Sequence, residues 1–187
     1  MKRRFSFLAA LALFSAVTLT AQTLVKPSAP TPAQQQVKPD PWAGVRFLLG
    51  SWEAKTTGGV AQAQASAGYA FQLELHDHLL ARHSRSGVCT APDDFDCQHS
   101  DLLYIYPSPN GSALEAIYFD NEGHVIHYGV TTPKPNSVIF LSDPALPGPQ
   151  YRLSYELLDG VMTGKFELQM PGQTEFKIYL EWSGKRR

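Results

Sequence analysis

Four segments of this chain alternate apolar and polar residues with a period of two, and that pattern constrains the fold more than any other feature. In residues 174–182, Phe176, Ile178, Leu180 and Trp182 interleave with Lys177 and Glu181. Tyr151, Leu153, Tyr155 and Leu157 alternate with Arg152, Ser154 and Glu156. Met162, Phe166, Leu168 and Met170 alternate with Thr163, Lys165, Glu167 and Gln169, and Tyr69, Phe71, Leu73 and Leu75 with Ala70, Gln72 and Glu74. Successive side chains of a strand point to opposite faces, so each segment reads as a strand with one buried and one wet face.

Turn signals punctuate the chain at short intervals: Gly58-Gly59, His76-Asp77-His78, residues 89–97, 107–111, 120–123, 133–136 and 143–149, Asp159-Gly160 and Pro171-Gly172. Nine such turns separate ten candidate strands. The connections are nearly all too short for parallel crossovers, so consecutive strands are expected to be antiparallel neighbours. Ten short, evenly spaced strands fit an all-β, closed, antiparallel up-and-down barrel or a sandwich. An immunoglobulin-type sandwich wants cysteines far apart around a core Trp. Here Cys89 and Cys97 fall in one loop, which favours the barrel. One helix is expected, over residues 41–49, with Asp40 as cap, Pro41 at the first helical position and Gly50 as stop. Trp42, Val45, Leu48 and Leu49 share a face of it, so it is expected to cover one end of the barrel.

Ahead of the strands the composition changes twice. Lys2, Arg3 and Arg4 precede fifteen residues, 5–19, that carry no charge, and Thr20-Ala21 follows before Gln22. This basic, apolar, small-residue order is that of a secretory signal peptide over residues 1–21, and the apolar run is short for a bilayer span. Residues 22–41 hold five prolines and four glutamines and read as a flexible linker that cannot bury enough surface to offset its ordering entropy. Residues 42–187 are then one domain, with no membrane span and a periplasmic or extracellular destination. Between residues 42 and 184, eight Lys and Arg stand against sixteen Asp and Glu. Such a balance argues against nucleic acid as a partner, because phosphate binding draws on clustered basic charge.

The run Phe47-Leu48-Leu49-Gly50-Ser51-Trp52-Glu53 resembles the Gly-x-Trp opening of the calycin superfamily, the lipocalin, fatty-acid-binding and nitrobindin-like barrels. More closely, the stretch from Trp42 onward resembles uncharacterised bacterial lipocalin-like domains, with "FLLGSWE" at its start and the hairpin of residues 116–128, "AIYFDNEGHVIHY". The resemblance implies a ligand-binding barrel in which Trp52 packs across one end against Lys185 or Arg186 of the last strand, a structural role. The nitrobindin branch has glycines after its Trp, where this chain has Ala54 and Thr56, and a haem-ligating His late in the barrel. No histidine follows His127, so neither haem nor any other cofactor is expected.

No nucleophile elbow, His-Glu-x-x-His helix, dinucleotide glycine pattern or phosphate loop occurs, and no catalytic residue is singled out. His124 and His127 stand three apart on a strand and so face opposite ways, which leaves no metal site among the histidines. The informative residues are amphipathic: Arg82, His83, Tyr104, Tyr118 and His127, with Tyr106 and Tyr128 beside them. An apolar body with a polar tip is what a small-molecule pocket uses to hold and orient a ligand. The five are expected to line the barrel, with Phe71, Phe166, Phe176 and Leu153 supplying apolar wall. Leu102-Leu103 and Ile117-Tyr118 are apolar in succession, so alternation leaves the facing of the fourth to sixth strands open. The expected function is binding of a small, largely apolar molecule; the alternatives are a barrel enzyme, an isomerase or a haem-dependent nitrobindin-like catalyst working through His127 or His83, and a scaffold or interaction module filled by its own side chains. Export into an oxidising space makes a structural Cys89–Cys97 disulfide the expected state. Intact-mass measurement after thiol alkylation should therefore find no free thiol, and two alkylated cysteines in exported protein would refute the pairing.

Overall fold

The structure is a computed structural model that describes residues 39–111 and 113–187. The expected signal peptide, and the linker up to residue 38, lie outside the described residues.

Ten strands follow in sequence: β1 (Gly50–Gly58), β2 (Gln64–Glu74), β3 (Leu79–Thr90), β4 (Asp101–Pro107), β5 (Leu114–Asp120), β6 (Val125–Thr131), β7 (Ser137–Ser142), β8 (Gln150–Leu158), β9 (Val161–Gln169) and β10 (Lys177–Arg186). Each pairs antiparallel with its sequence neighbours, and β10 returns to β1 with Trp52 opposite Arg186 and Lys55 opposite Ser183. The result is a closed ten-strand antiparallel barrel, in which every strand pairs on both sides over at least part of its length. Each of the nine expected turns lies at a junction between consecutive strands, with Gly58, Cys89, Thr90, Pro107 and Asp120 falling within strand ends.

The expected helix over residues 41–49 is not formed. The segment makes successive turns and a single 3-10 turn, Arg46–Leu48. Asp40 still accepts a hydrogen bond from the Trp42 N–H at 3.0 Å, but the chain enters β1 at once through Gly50, whose φ of 118° a side chain would oppose. Its apolar face is nevertheless buried: Trp42, Val45 and Leu48 belong to the core with Trp52. Trp42 donates its indole N–H to the carbonyl of Asp77 in the β2–β3 turn, at 3.0 Å, which places this segment at the barrel end that holds the β2–β3 turn. Trp52 donates to the Leu48 carbonyl at 2.8 Å, and the Arg186 guanidinium lies 4.8 Å from the centre of its ring. Of the two basic partners expected for Trp52, Arg186 is the one that meets it; it also bonds the Phe47 carbonyl.

This end of the barrel is filled. Phe71, Leu80, Leu103, Ile105, Val138, Phe140, Tyr155 and Met162 are all buried, and Tyr155 meets the Phe71 and Phe140 rings edge-on at 5.4 and 6.3 Å. Above them Trp182 crosses the interior against Tyr155, its centroid 5.8 Å away. It fits because its cross-strand partner is Gly164: a Cβ there would stand 2.2 Å from Trp182 Cε2.

Alternation along β8 and β9 runs as the sequence pattern requires, with Leu153, Tyr155 and Met162 inside. In β10 it breaks, because the β9–β10 register shifts between Ile178 and Leu180. Phe176, expected to line the interior, instead lies under the Arg152 guanidinium at 4.1 Å, beside the outer Arg152–Glu167 ion pair. Tyr179 turns towards the interior in its place. Gly164→Ala is expected to destabilise the barrel by about 1–3 kcal/mol through overpacking. Denaturant unfolding followed by Trp fluorescence measures this, and an unchanged midpoint would show that Trp182 does not need the space.

Candidate functional site: a half-filled barrel around a buried ion pair

The other end of the barrel is hollow. A cavity of about 420 Å³ opens there, walled by Tyr151, Leu153, Phe166, Leu168 and Ile126. Tyr151 and Phe166 stack with their rings 5.8 Å apart and 10° from parallel, forming a flat aromatic panel.

At its inner end lies an ion pair. Arg82 on β3 and Asp101, the first residue of β4, both turn inward, with Arg82 Nη1 2.8 Å from Asp101 Oδ1 and both side chains about nine-tenths buried. The N–H does not point along that contact, so the attraction is one of charge more than of a well-aligned hydrogen bond. Asp101 is held from its backbone: its N–H donates to Ser84 Oγ at 2.8 Å, and that hydroxyl donates to the Asp101 carbonyl at 3.2 Å. Burial pushes the Asp101 carboxyl up, but the Arg82 charge and the bond from His99 outweigh it and hold the group below the usual carboxylate range. Burial likewise works against the Arg82 charge, and Asp101 outweighs it. Both partners are therefore ionised.

Around the pair stand aromatic groups with polar tips. The Arg82 guanidinium lies 5.3 Å from the Tyr69 ring centre. Burial raises the hydroxyls of Tyr69, Tyr118, Tyr128 and Tyr155 above the ordinary phenol value, so all four stay protonated. Tyr69 Oη, Tyr128 Oη, Tyr155 Oη, Trp182 Nε1, Arg82 Nε and Asp101 Oδ1 are buried without an aligned hydrogen-bond partner in the protein. Trp182 faces the Tyr69 hydroxyl without closing an aligned bond to it. Buried polar groups are nearly always paired, and each one left alone costs about 1–3 kcal/mol.

The rim carries a second polar group, His99. Its Nε2 lies 3.0 Å from Tyr118 Oη and 3.5 Å from Asp101 Oδ2, and its Nδ1 lies 3.1 Å from Glu122 Oε1. The bond to Asp101 raises its pKa, burial lowers it, and Glu122 tips the balance further upward. The loop between β3 and β4 brings His99 here. The Cys89–Cys97 disulfide closes the base of this loop. Phe95, within it, stacks on Tyr179 of β10 at 6.4 Å, and Asp96 accepts from Asn121 of the β5–β6 turn at 2.9 Å. The loop thus touches the wall on both sides of the opening.

Of the five residues expected to line the pocket, the structure brings Arg82 and Tyr118 to the cavity. His83, Tyr104 and His127 are on the outer face. His83 bonds Glu74 at 2.9 Å and meets the Tyr104 ring edge-on, while His127 is exposed beside the buried Ile126 and Tyr128. The reason is parity: Asp101, Leu103 and Ile105 take the inner face of β4, which turns Tyr104 out, and Tyr128 takes the inner face of β6, which turns His127 out. Of the expected apolar wall, Leu153 and Phe166 line the cavity and Phe71 packs in the filled end. Asp101, His99, Tyr69 and Trp182 were not legible as site residues, and Tyr128 stood among the amphipathic residues beside the five. The one available signal was the order His99-Ser100-Asp101 leading into a strand, and nothing in it says that Asp101 faces Arg82. Among the described residues no group of three or more His, Cys, Asp or Glu side chains is arranged to hold a metal ion, and no helix is long and apolar enough to cross a membrane.

No known protein family and no curated protein matches the chain in sequence.

Removing one member of a buried ion pair leaves an unbalanced charge, whereas replacing both with apolar groups is often neutral. Arg82→Met is therefore expected to cost about 3–5 kcal/mol. The double variant Arg82→Met/Asp101→Leu should recover most of that loss in urea unfolding. A double variant no more stable than the single one would show that the pair's worth is not electrostatic.

Proposed function

We propose that this protein binds a small, largely apolar molecule in the hollow end of its barrel, as the lipocalin-like resemblance implies. One observation carries the reading: a cavity of about 420 Å³, within the size range of small-molecule sites, whose lining includes Tyr69, Tyr128, Trp182 and Arg82, each with a buried polar atom left without a protein partner. Tyr151, Phe166, Leu153 and Leu168 offer the apolar body of a ligand a wall, and the groups around Arg82 offer its polar end hydrogen bonds. The scaffold alternative asks for an interior packed by its own side chains, which holds for one end of the barrel and not for the other. The enzyme alternative named His83 or His127 as the reactive group, and both stand on the outer face, away from the cavity.

Export is part of the same proposal. A disulfide persists in oxidising compartments, and the Cys89–Cys97 bridge fits an extracellular or periplasmic protein.

N-phenyl-1-naphthylamine, an uncharged dye that brightens in apolar surroundings, tests the reading. Saturable enhancement at one dye per barrel is expected. Leu153→Trp, which fills the cavity from its wall, should weaken binding at least tenfold while circular dichroism shows the barrel intact. No enhancement with the wild-type protein, or equal binding by a folded Leu153→Trp variant, would overturn it.

A further inference from the structure

The polar end of the cavity also specifies what kind of head group it accepts. Resting on the binding reading above, we infer that the ligand is electrically neutral and carries a carbonyl-type oxygen, a hydrogen-bond acceptor, at its buried end.

Charge is the first constraint. Arg82 is the cation deep in the site, and Asp101 already answers it at 2.8 Å. Ser84 pins Asp101 through its backbone, and His99 contacts the second carboxylate oxygen, so the carboxylate is not free to swing away and yield Arg82 to a ligand. A carboxylate, sulfonate or phosphate head entering here would add an unbalanced negative charge to a dry interior, next to a buried aspartate. The approach opposes it too. Asp94, Asp96, Asp120 and Glu122 line the cavity along with Asp101, against Arg82, Lys55 and Arg85.

The second constraint is the sign of the missing hydrogen bonds. Trp182 Nε1 and Arg82 Nε can only donate, and both are buried with no acceptor. The hydroxyls of Tyr69 and Tyr128, which also line the cavity, are protonated, buried and unpartnered, and each can donate or accept. The one unpartnered atom that can only accept is Asp101 Oδ1, and its charge is matched to Arg82 Nη1 at 2.8 Å, while His99 lies 3.5 Å from Oδ2. An uncharged acceptor oxygen completes Trp182 Nε1 and Arg82 Nε without adding charge beside Asp101. A ketone, aldehyde or ester oxygen supplies it; an ammonium group, which only donates, does not. The stacked Tyr151–Phe166 panel and Leu153, Leu168 and Ile126 then receive the apolar remainder.

Competition against bound N-phenyl-1-naphthylamine at pH 7.5 separates the possibilities, using decan-2-one, decanoate and decylamine. The ketone is expected to displace the dye at least tenfold more effectively than either charged competitor. Decanoate or decylamine matching or exceeding decan-2-one would overturn the head-group assignment while leaving the binding reading in place. If the dye itself does not bind, both fall together. Asp101→Asn leaves Arg82 unbalanced, so in this variant decanoate should gain at least tenfold relative to the ketone. A folded Asp101→Asn protein with the wild-type ranking would overturn the assigned cause, and the wild-type comparison decides the assignment even if that variant does not fold.

Discussion

The interior of this protein exists because the last strand returns to the first. Pairing of β10 with β1, from Trp52 opposite Arg186 onward, converts a ten-strand meander into a closed wall whose inner faces must be filled or left hollow. A barrel of ten strands is wider than the eight-stranded kind whose side chains just fill it. The chain resolves the excess unevenly. Residues 41–49 bring Trp42, Val45 and Leu48 into one end, where Phe71, Phe140 and Tyr155 interlock, and the other end stays open. Trp182 lies between the two, admitted by the missing side chain of Gly164.

Placing Arg82 and Asp101 at that boundary has a thermodynamic cost. A buried ion pair gains little over apolar packing of the same shape, and unpartnered phenol and indole groups cost more still. Those costs are concentrated in the stretch of the interior that adjoins the cavity, while the filled end is almost purely apolar. Polar groups held in place without partners are already oriented for a ligand, so binding does not spend free energy on arranging them. The same economy extends to the rim, where Asp101, Glu122 and Tyr118 surround His99, and the disulfide-closed loop ties to the β5–β6 turn and to β10.

Much of this architecture is legible in the sequence. Strand number and turn positions follow from period-two alternation and from Gly, Pro and Asp at the breaks, because both are local properties of the backbone. The disulfide follows from two cysteines in one loop, and the contact of Trp52 with Arg186 was an expectation of the family resemblance. Over residues 41–49 the cap and stop signals are real, but the burial of Trp42, Val45 and Leu48 and the entry into β1 are met by turns and one short 3-10 helix, Arg46–Leu48.

The sequence by itself determined an all-β chain of ten antiparallel strands, since each strand declares its own alternation and each turn its own chemistry. Only the tertiary structure decided which face of the central strands looks inward. Where Leu102, Leu103 and Tyr104, or Ile126, His127 and Tyr128, follow one another, either parity buries apolar surface, and the choice is made by register with neighbours far along the chain. That choice put Arg82 and Tyr118 inside, sent His83, Tyr104 and His127 outside, and set Asp101 against Arg82. The pairing of two charges nineteen positions apart is a property of the closed barrel, and no local pattern could carry it.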